Sequence, residues 1–217
     1  MTSKYDICNI GLRSIRTAPI ASFTDPAALT QATICGALYP TLLDFALEDG
    51  LWGFAHRIET LGLTTDTVFN WAYVYAYPND CLRVNRIITD YEYINQTVSP
   101  FIPPESDFYT YDVKQQNPYE IVDIGGVTRI ATNVPIAHVS YRRRVTDTTR
   151  FPPAFIMALG HLIGGEAAMS IIGGAEGRTV RQEELKIYQS YSVPALANSM
   201  NEQHTTAPEN EFIRVRR

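Results

Sequence analysis

A chain of 217 residues with 45% hydrophobic and 19% charged side chains carries enough apolar material for a packed core, which excludes disorder throughout. Its length suits one large domain or two small ones, and a net charge of −5 argues against a surface given over to nucleic acid. The three cysteines, Cys8, Cys35 and Cys81, are widely spaced with no C-x-x-C pair, which excludes a zinc pattern or a disulfide framework and reads as buried free thiols.

Residues 4–16 read as a short helix with Ile7, Ile10 and Leu12 apolar and Gly11 at a close-packing point. Lys4, Asp6 and Arg13 interrupt any apolar run there, so no signal peptide is expected. No stretch approaches the roughly 18 uninterrupted apolar residues of a membrane helix. Asp25-Pro26 is a helix start, because Asp caps free N–H groups and Pro fits the first turn. Leu29, Ala32, Leu38, Leu42, Phe45 and Ala46 continue a helical stripe, kinked at Pro40 and expected to stop near residues 52–57.

The period then changes. Trp71, Tyr73, Tyr75 and Tyr77 alternate with Ala72, Val74 and Ala76 as in a strand packed on both faces. Pro78-Asn79-Asp80 is a turn signal, and Leu82, Val84, Arg86 and Ile88 open the next strand. Residues 97–118 read as a long proline-rich loop. Residues 119–122, 129–132 and 137–141 read as strands, with Gly125-Gly126 as a hairpin turn. The last third returns to helix. Phe151-Pro152-Pro153 opens an apolar run that Gly173-Gly174 ends. Residues 180–200 form a second, more polar helix with a break or kink at Pro194, and 203–217 read as an extended tail. The expected architecture is α+β. A discontinuous helical bundle (1–68 and 148–202) surrounds an inserted β domain with a small antiparallel sheet (69–147), followed by the tail.

Chemistry-bearing motifs are sparse. His56, His138, His161 and His204 have no ligand spacing and suit core or interface positions. There is no Gly-x-Ser-x-Gly elbow, P-loop or Gly-x-Gly-x-x-Gly. Glu166 sits in an apolar helix, where pairing with an arginine of a neighbouring helix is the simplest expectation. No catalytic residue, cofactor site or metal site is assigned. Thirteen tyrosines suit strands, or subunit contacts that are partly wet.

Several stretches in order resemble one known family. A helix with Tyr39-Pro40, Leu43, Phe45 and Ala46 precedes Trp52, Phe54 and Ala55. Tyr77-Pro78-Asn79-Asp80-Cys81-Leu82-Arg83-Val84 is similar to that family's Leu-Pro-x-Asp-Cys-Leu-Arg-Val stretch. The Gly125-Gly126 hairpin, the strand end from Tyr141 to Asp147, and Phe151-Pro152-Pro153 follow in the family's order. The family is the head-to-tail adaptor proteins of short-tailed bacteriophages, of the tail tubular protein A type.

The resemblance covers roughly residues 5–200; the glycines Gly160, Gly164 and Gly165 depart from the family's usual helix, and the tail does not align. It implies a non-enzymatic homo-oligomeric ring of about twelve subunits in the neck of the virion, made in the host cytoplasm. The ring would join the portal protein to the tail nozzle protein, and genomic DNA would pass its lumen without sequence-specific binding and with no membrane involved. Under it, Phe45, Trp52, Phe54, Tyr77, Pro78, Cys81, Leu82, Arg83, Val84, Tyr141 and Asp147 are packing residues. Arg142, Arg143 and Arg144 would meet a neighbouring subunit or the lumen, with Arg142 and Arg144 on one strand face. Phe212, Ile213, Arg214, Val215, Arg216 and Arg217 alternate apolar and basic groups and would bind the portal. A cell-wall hydrolase acting during phage entry, or a neck or head-completion protein of another tail type, are the alternatives.

Overall fold

Apolar periodicity sorts the chain into helices at both ends and strands between them. The structure, a computed structural model, describes residues 2–50, 52–90 and 117–202, with side chains up to residue 197. Most of the expected loop at 97–118, the tail 203–217 with its six candidate portal-binding residues, and His204 lie outside the described residues. Among the described residues helices take 50% and strands 22%, the strands in two small antiparallel sheets, so the fold is α+β. The chain divides into a helical unit, Met1–Ala55 with Arg144–Glu202, and a strand unit whose described part lies within His56–Arg143. These limits fall at 55/56 and 143/144 rather than at 68/69 and 147/148, because a strand at His56–Thr60 pairs with the strand that ends at Arg143.

In the helical unit, α1 (Lys4–Ser14) begins with a capping box: Ser3 Oγ accepts from Asp6 N at 3.2 Å, and Asp6 Oδ2 accepts from Ser3 N at 2.8 Å. The Asp6 carboxyl is held below the usual range, chiefly by the Ser3 backbone hydrogen bond. Asp25 caps a short 3₁₀ turn, Pro26–Ala28, by accepting from Ala27 N at 2.9 Å, and α2 (Leu29–Asp49) follows and runs through Pro40. The buried stripe of α2 is Ala32, Cys35, Tyr39, Leu43, Ala46 and Leu47. The expected stripe is therefore rotated. Leu29 is 61% and Phe45 51% exposed, and Leu38 and Leu42 are half-buried. Cysteine and tyrosine, not only leucine, supply the inward face, and an apolarity count assigns them too little weight.

α3 (Pro153–Ile171) is the core of this unit and packs on α1, α2 and α4 (Gly174–Glu202). It is long and apolar enough to cross a membrane by length and composition, although His161 and Glu166 interrupt its apolar run. In this fold 61% of that window is buried inside the chain, as in the core helix of a globular protein. Gly173 (φ +69°) and Gly174 (φ +59°) make the left-handed turn between α3 and α4, so α4 starts at Gly174, earlier than its polar sequence suggests. At one crossing α1 meets α3 backbone to backbone. A Cβ on Gly11 would stand 2.8 Å from Gly164 Cα, and one on Gly164 2.9 Å from Gly11 Cα.

The strand unit holds β1 (His56–Thr60), β2 (Tyr73–Ala76), β3 (Cys81–Thr89), β4 (Tyr119–Ile124), β5 (Val127–Thr132) and β6 (Ala137–Arg143). They form two three-stranded antiparallel sheets, ordered β1-β6-β3 and β2-β5-β4, in place of the one sheet expected. Gly125 (φ +62°) and Gly126 (φ +82°) close the β4–β5 hairpin in the doubly left-handed conformation that tight hairpins require. One core serves both sheets: Tyr75 and Ile130 from one meet Val84, Ile87, Val139 and Tyr141 from the other, with Tyr73, Tyr77, Cys81 and Tyr119 packed against them. Several of the many tyrosines thus line strands.

Candidate functional site

The Tyr-Pro-Asn-Asp-Cys-Leu-Arg-Val stretch makes the β2–β3 turn and the start of β3, and its partner strand is β6. Cys81 pairs with Arg143, Arg83 with Arg142 and Val84 with Tyr141, with irregularities around Leu82 and Asn85. The two stretches that most strongly carry the resemblance are therefore neighbours in one sheet. Asp80 ties them together. Its Oδ1 accepts from the buried Tyr141 hydroxyl at 2.8 Å, and its Oδ2 lies 3.5 Å from Arg57 Nη1 of β1. Burial, then the Asp80 carboxylate, push the Tyr141 phenol far up, so it stays a donor at any ordinary pH. Tyr141→Phe keeps the ring and removes the donor. The expected loss is about 1–2 kcal/mol, read as a lower urea midpoint with unchanged slope; an unchanged midpoint would show that Asp80 pins nothing.

Within this corner Val84 and Tyr141 are buried, Tyr77, Pro78, Cys81 and Leu82 half-buried, and Arg83 exposed. Asp147 is not a packing residue. It caps the 3₁₀ turn Thr148–Arg150, accepting from Thr149 N at 3.0 Å and Thr149 Oγ1 at 2.7 Å, which holds its carboxyl below the usual range. Phe45 is likewise on the exposed side of α2.

The arginine triplet does not form one face. Arg142 is buried in β6 between Arg83 and His56, and Arg143 is half-buried at the strand end. Arg144 lies beyond the strand, and its guanidinium grips Asp44 of α2 with two hydrogen bonds, 2.8 and 2.6 Å. Strand alternation could not place Arg144 beside Arg142, because β6 ends at Arg143.

In the helical unit Trp52, Phe54, Phe151 and Phe155 make one aromatic cluster, with Trp52 edge-on to Phe155 at 4.9 Å and Phe54 edge-on to it at 5.1 Å. Beside it runs an apolar groove of about 540 Å³ lined by Trp52, Phe54, Pro152, Pro153, Tyr191 and Pro194 among others. In the strand unit Phe69 is 89% exposed next to Asn70, whose φ is +70°.

The three described histidines, His56, His138 and His161, are hydrogen-bonded. His161 Nδ1 lies 2.7 Å from Glu184 Oε2, both largely buried, and its ring stacks on Tyr191. Glu166 is held by Arg181 of α4 at 2.7 Å. His56 Nε2 meets Ser140 Oγ at 2.8 Å, and burial, with Arg86 and Arg142 nearby, holds its pKa down. His138 joins Thr60 Oγ1 (2.9 Å, Nδ1) to Asp90 (3.2 Å, Nε2). A hydroxyl, imidazole and carboxylate in a row can move a proton. Here both ring nitrogens are engaged and the side chain is only 4% exposed, so this arrangement fixes β6 against its neighbours. The Asp80 clasp and the histidine pairs join residues far apart in the chain and leave no local pattern, whereas the Glu166–Arg181 pair meets the expectation of an arginine on a neighbouring helix.

No protein-family model matches the chain, and no curated protein matches it.

Proposed function

We propose that this chain is a structural connector, a head-to-tail adaptor of a short-tailed bacteriophage. It would form a ring of about twelve copies between the portal protein and the tail nozzle protein, with DNA passing through the lumen. The observation that carries this reading is the Asp80–Tyr141 clasp. It makes the motifs quoted for the resemblance two sides of one packed corner, which is a role in architecture. The division into a helical unit drawn from both chain ends and an inserted strand unit also supports it. A ring of identical head-to-tail contacts needs two different complementary faces per subunit. The apolar groove on the helical unit and the exposed Phe69 on the strand unit are candidates for such faces.

Portal attachment is assigned to residues 212–217, where Phe212, Ile213 and Val215 alternate with Arg214, Arg216 and Arg217. Removing 205–217 should leave the thermal unfolding transition in place and abolish co-sedimentation with the portal. A truncated chain that still joins the portal would overturn the assignment.

A further inference from the structure

The apolar groove of the helical unit, about 540 Å³, has no charged side chain in its lining. Trp52 and Phe54 enter it from the segment after α2, Pro152 and Pro153 from the start of α3, and Tyr191 and Pro194 from α4. Rings and prolines have few rotamers to lose, so an apolar partner meets a wall that is already shaped. The two α3 prolines and Pro194 are exposed, Tyr191 is 38% exposed, and nothing among the described residues fills the cleft.

The length of chain that follows α4 points to an occupant. Residues 203–217 continue from the end of that helix and lie outside the described residues. From Ala195, at the groove, to Glu202 the helix rises about 10 Å. Residues 203–211 span up to about 30 Å when extended. They contain no large apolar side chain, so Phe212 and Ile213 are the first to follow α4. A chain that doubles back along α4 brings those two to the groove. Arg214, Arg216 and Arg217 would then run toward Asp49, which accepts from the Tyr188 hydroxyl of α4 at 2.7 Å. Glu48 and Asp49 are exposed at the end of α2, but so are Lys186, one turn before Ser190 of the lining, and Arg150, just before Pro152. Charge is nearly balanced around the groove, and the apolar pair has to carry the contact.

We propose that this groove is the seat of the chain's own C-terminal segment, with Phe212 and Ile213 as its anchors. The tether makes the contact intramolecular, at an effective concentration on the order of millimolar, so a weak pairing of two side chains with the groove is enough to fill it. The docking does not rest on the connector reading. Under that reading the portal would take the same residues from the groove and bare it as a subunit face.

The test titrates a fluorescein-labelled peptide of residues 205–217 with full-length chains and reads its anisotropy. The Phe212→Asp/Ile213→Asp chain, whose own segment no longer competes, should bind the peptide. The wild-type chain, with its groove filled, should bind it about tenfold or more weakly. Adding Pro194→Lys to the double variant should abolish binding. That position is exposed, and lysine is the better helix former, so the fold is kept. Raised salt should leave binding in place, since apolar contact is not screened. No binding by the double variant, equal binding by the wild-type chain, binding that survives Pro194→Lys, or binding lost in salt would each overturn the proposal. A wild-type chain that self-associates with concentration while the double variant stays monomeric would seat the segment on a second copy and overturn docking within one chain.

Discussion

Gly11→Ala is expected to destabilise the helical unit by about 2 kcal/mol, although alanine is the better helix former by about 1 kcal/mol. The steric effect wins because of what the methyl would meet. It would run into the Gly160 carbonyl oxygen and lie 2.6 Å from Gly164 N and 2.8 Å from Gly164 Cα, all backbone atoms of α3. A side chain can rotate out of such a contact; a helix backbone moves only if the helix moves. Gly164→Ala approaches the same crossing from the other side, 2.8 Å from Gly11 O, and should cost a similar amount. Gly62→Ala is the control, since a Cβ there meets nothing within 4 Å. Urea unfolding checks all three. A Gly11→Ala midpoint equal to that of wild type would mean α1 does not sit against α3 as described.

Trp52→Ala is expected to cost about 3–5 kcal/mol, a large part of the 5–15 kcal/mol typical of a folded domain. Trp52 is 2% exposed and edge-on to Phe155. Its indole N–H also donates to the Ala46 carbonyl at 2.8 Å. Ala46 lies in the last turn of α2 (which ends at Asp49), where carbonyls lack helical partners. The side chain therefore caps a helix end while it fills the core. It folds back over Gly50, where a Cβ would stand 2.7 Å from the indole nitrogen. Trp52→Phe separates the two roles and should lose about 1 kcal/mol from the hydrogen bond, plus a smaller packing deficit. Alanine and phenylalanine variants of equal stability would assign the whole effect to the cap; a harmless alanine would contradict both roles.

Local signals in this sequence were readable where one residue type decides the conformation. Asp25 caps, Gly125-Gly126 turns, Gly173-Gly174 breaks, and the alternation through Tyr75 gives a strand. Signals that depend on partners were not. β1 pairs with β6 across more than 70 residues, and nothing in His56 to Thr60 alternates clearly enough to announce a strand. The α2 stripe was misplaced because the inward positions are filled by Cys35 and Tyr39 while Leu29 and Phe45 face out. Asp80 looked like a turn residue and is one, but its carboxylate also holds Tyr141 and approaches Arg57, a role visible only when three strands are brought together. Arg144 looked like part of a basic strand end. Its position past β6 hands it to Asp44 instead.

The connector reading makes one claim that imaging tests directly. Purified protein would be examined by negative-stain electron microscopy alone and after mixing with the portal protein of its phage. Rings, either free or capping the portal, with a symmetry that can be counted, are the result the account predicts. A chain that stays monomeric and leaves the portal uncapped would contradict it.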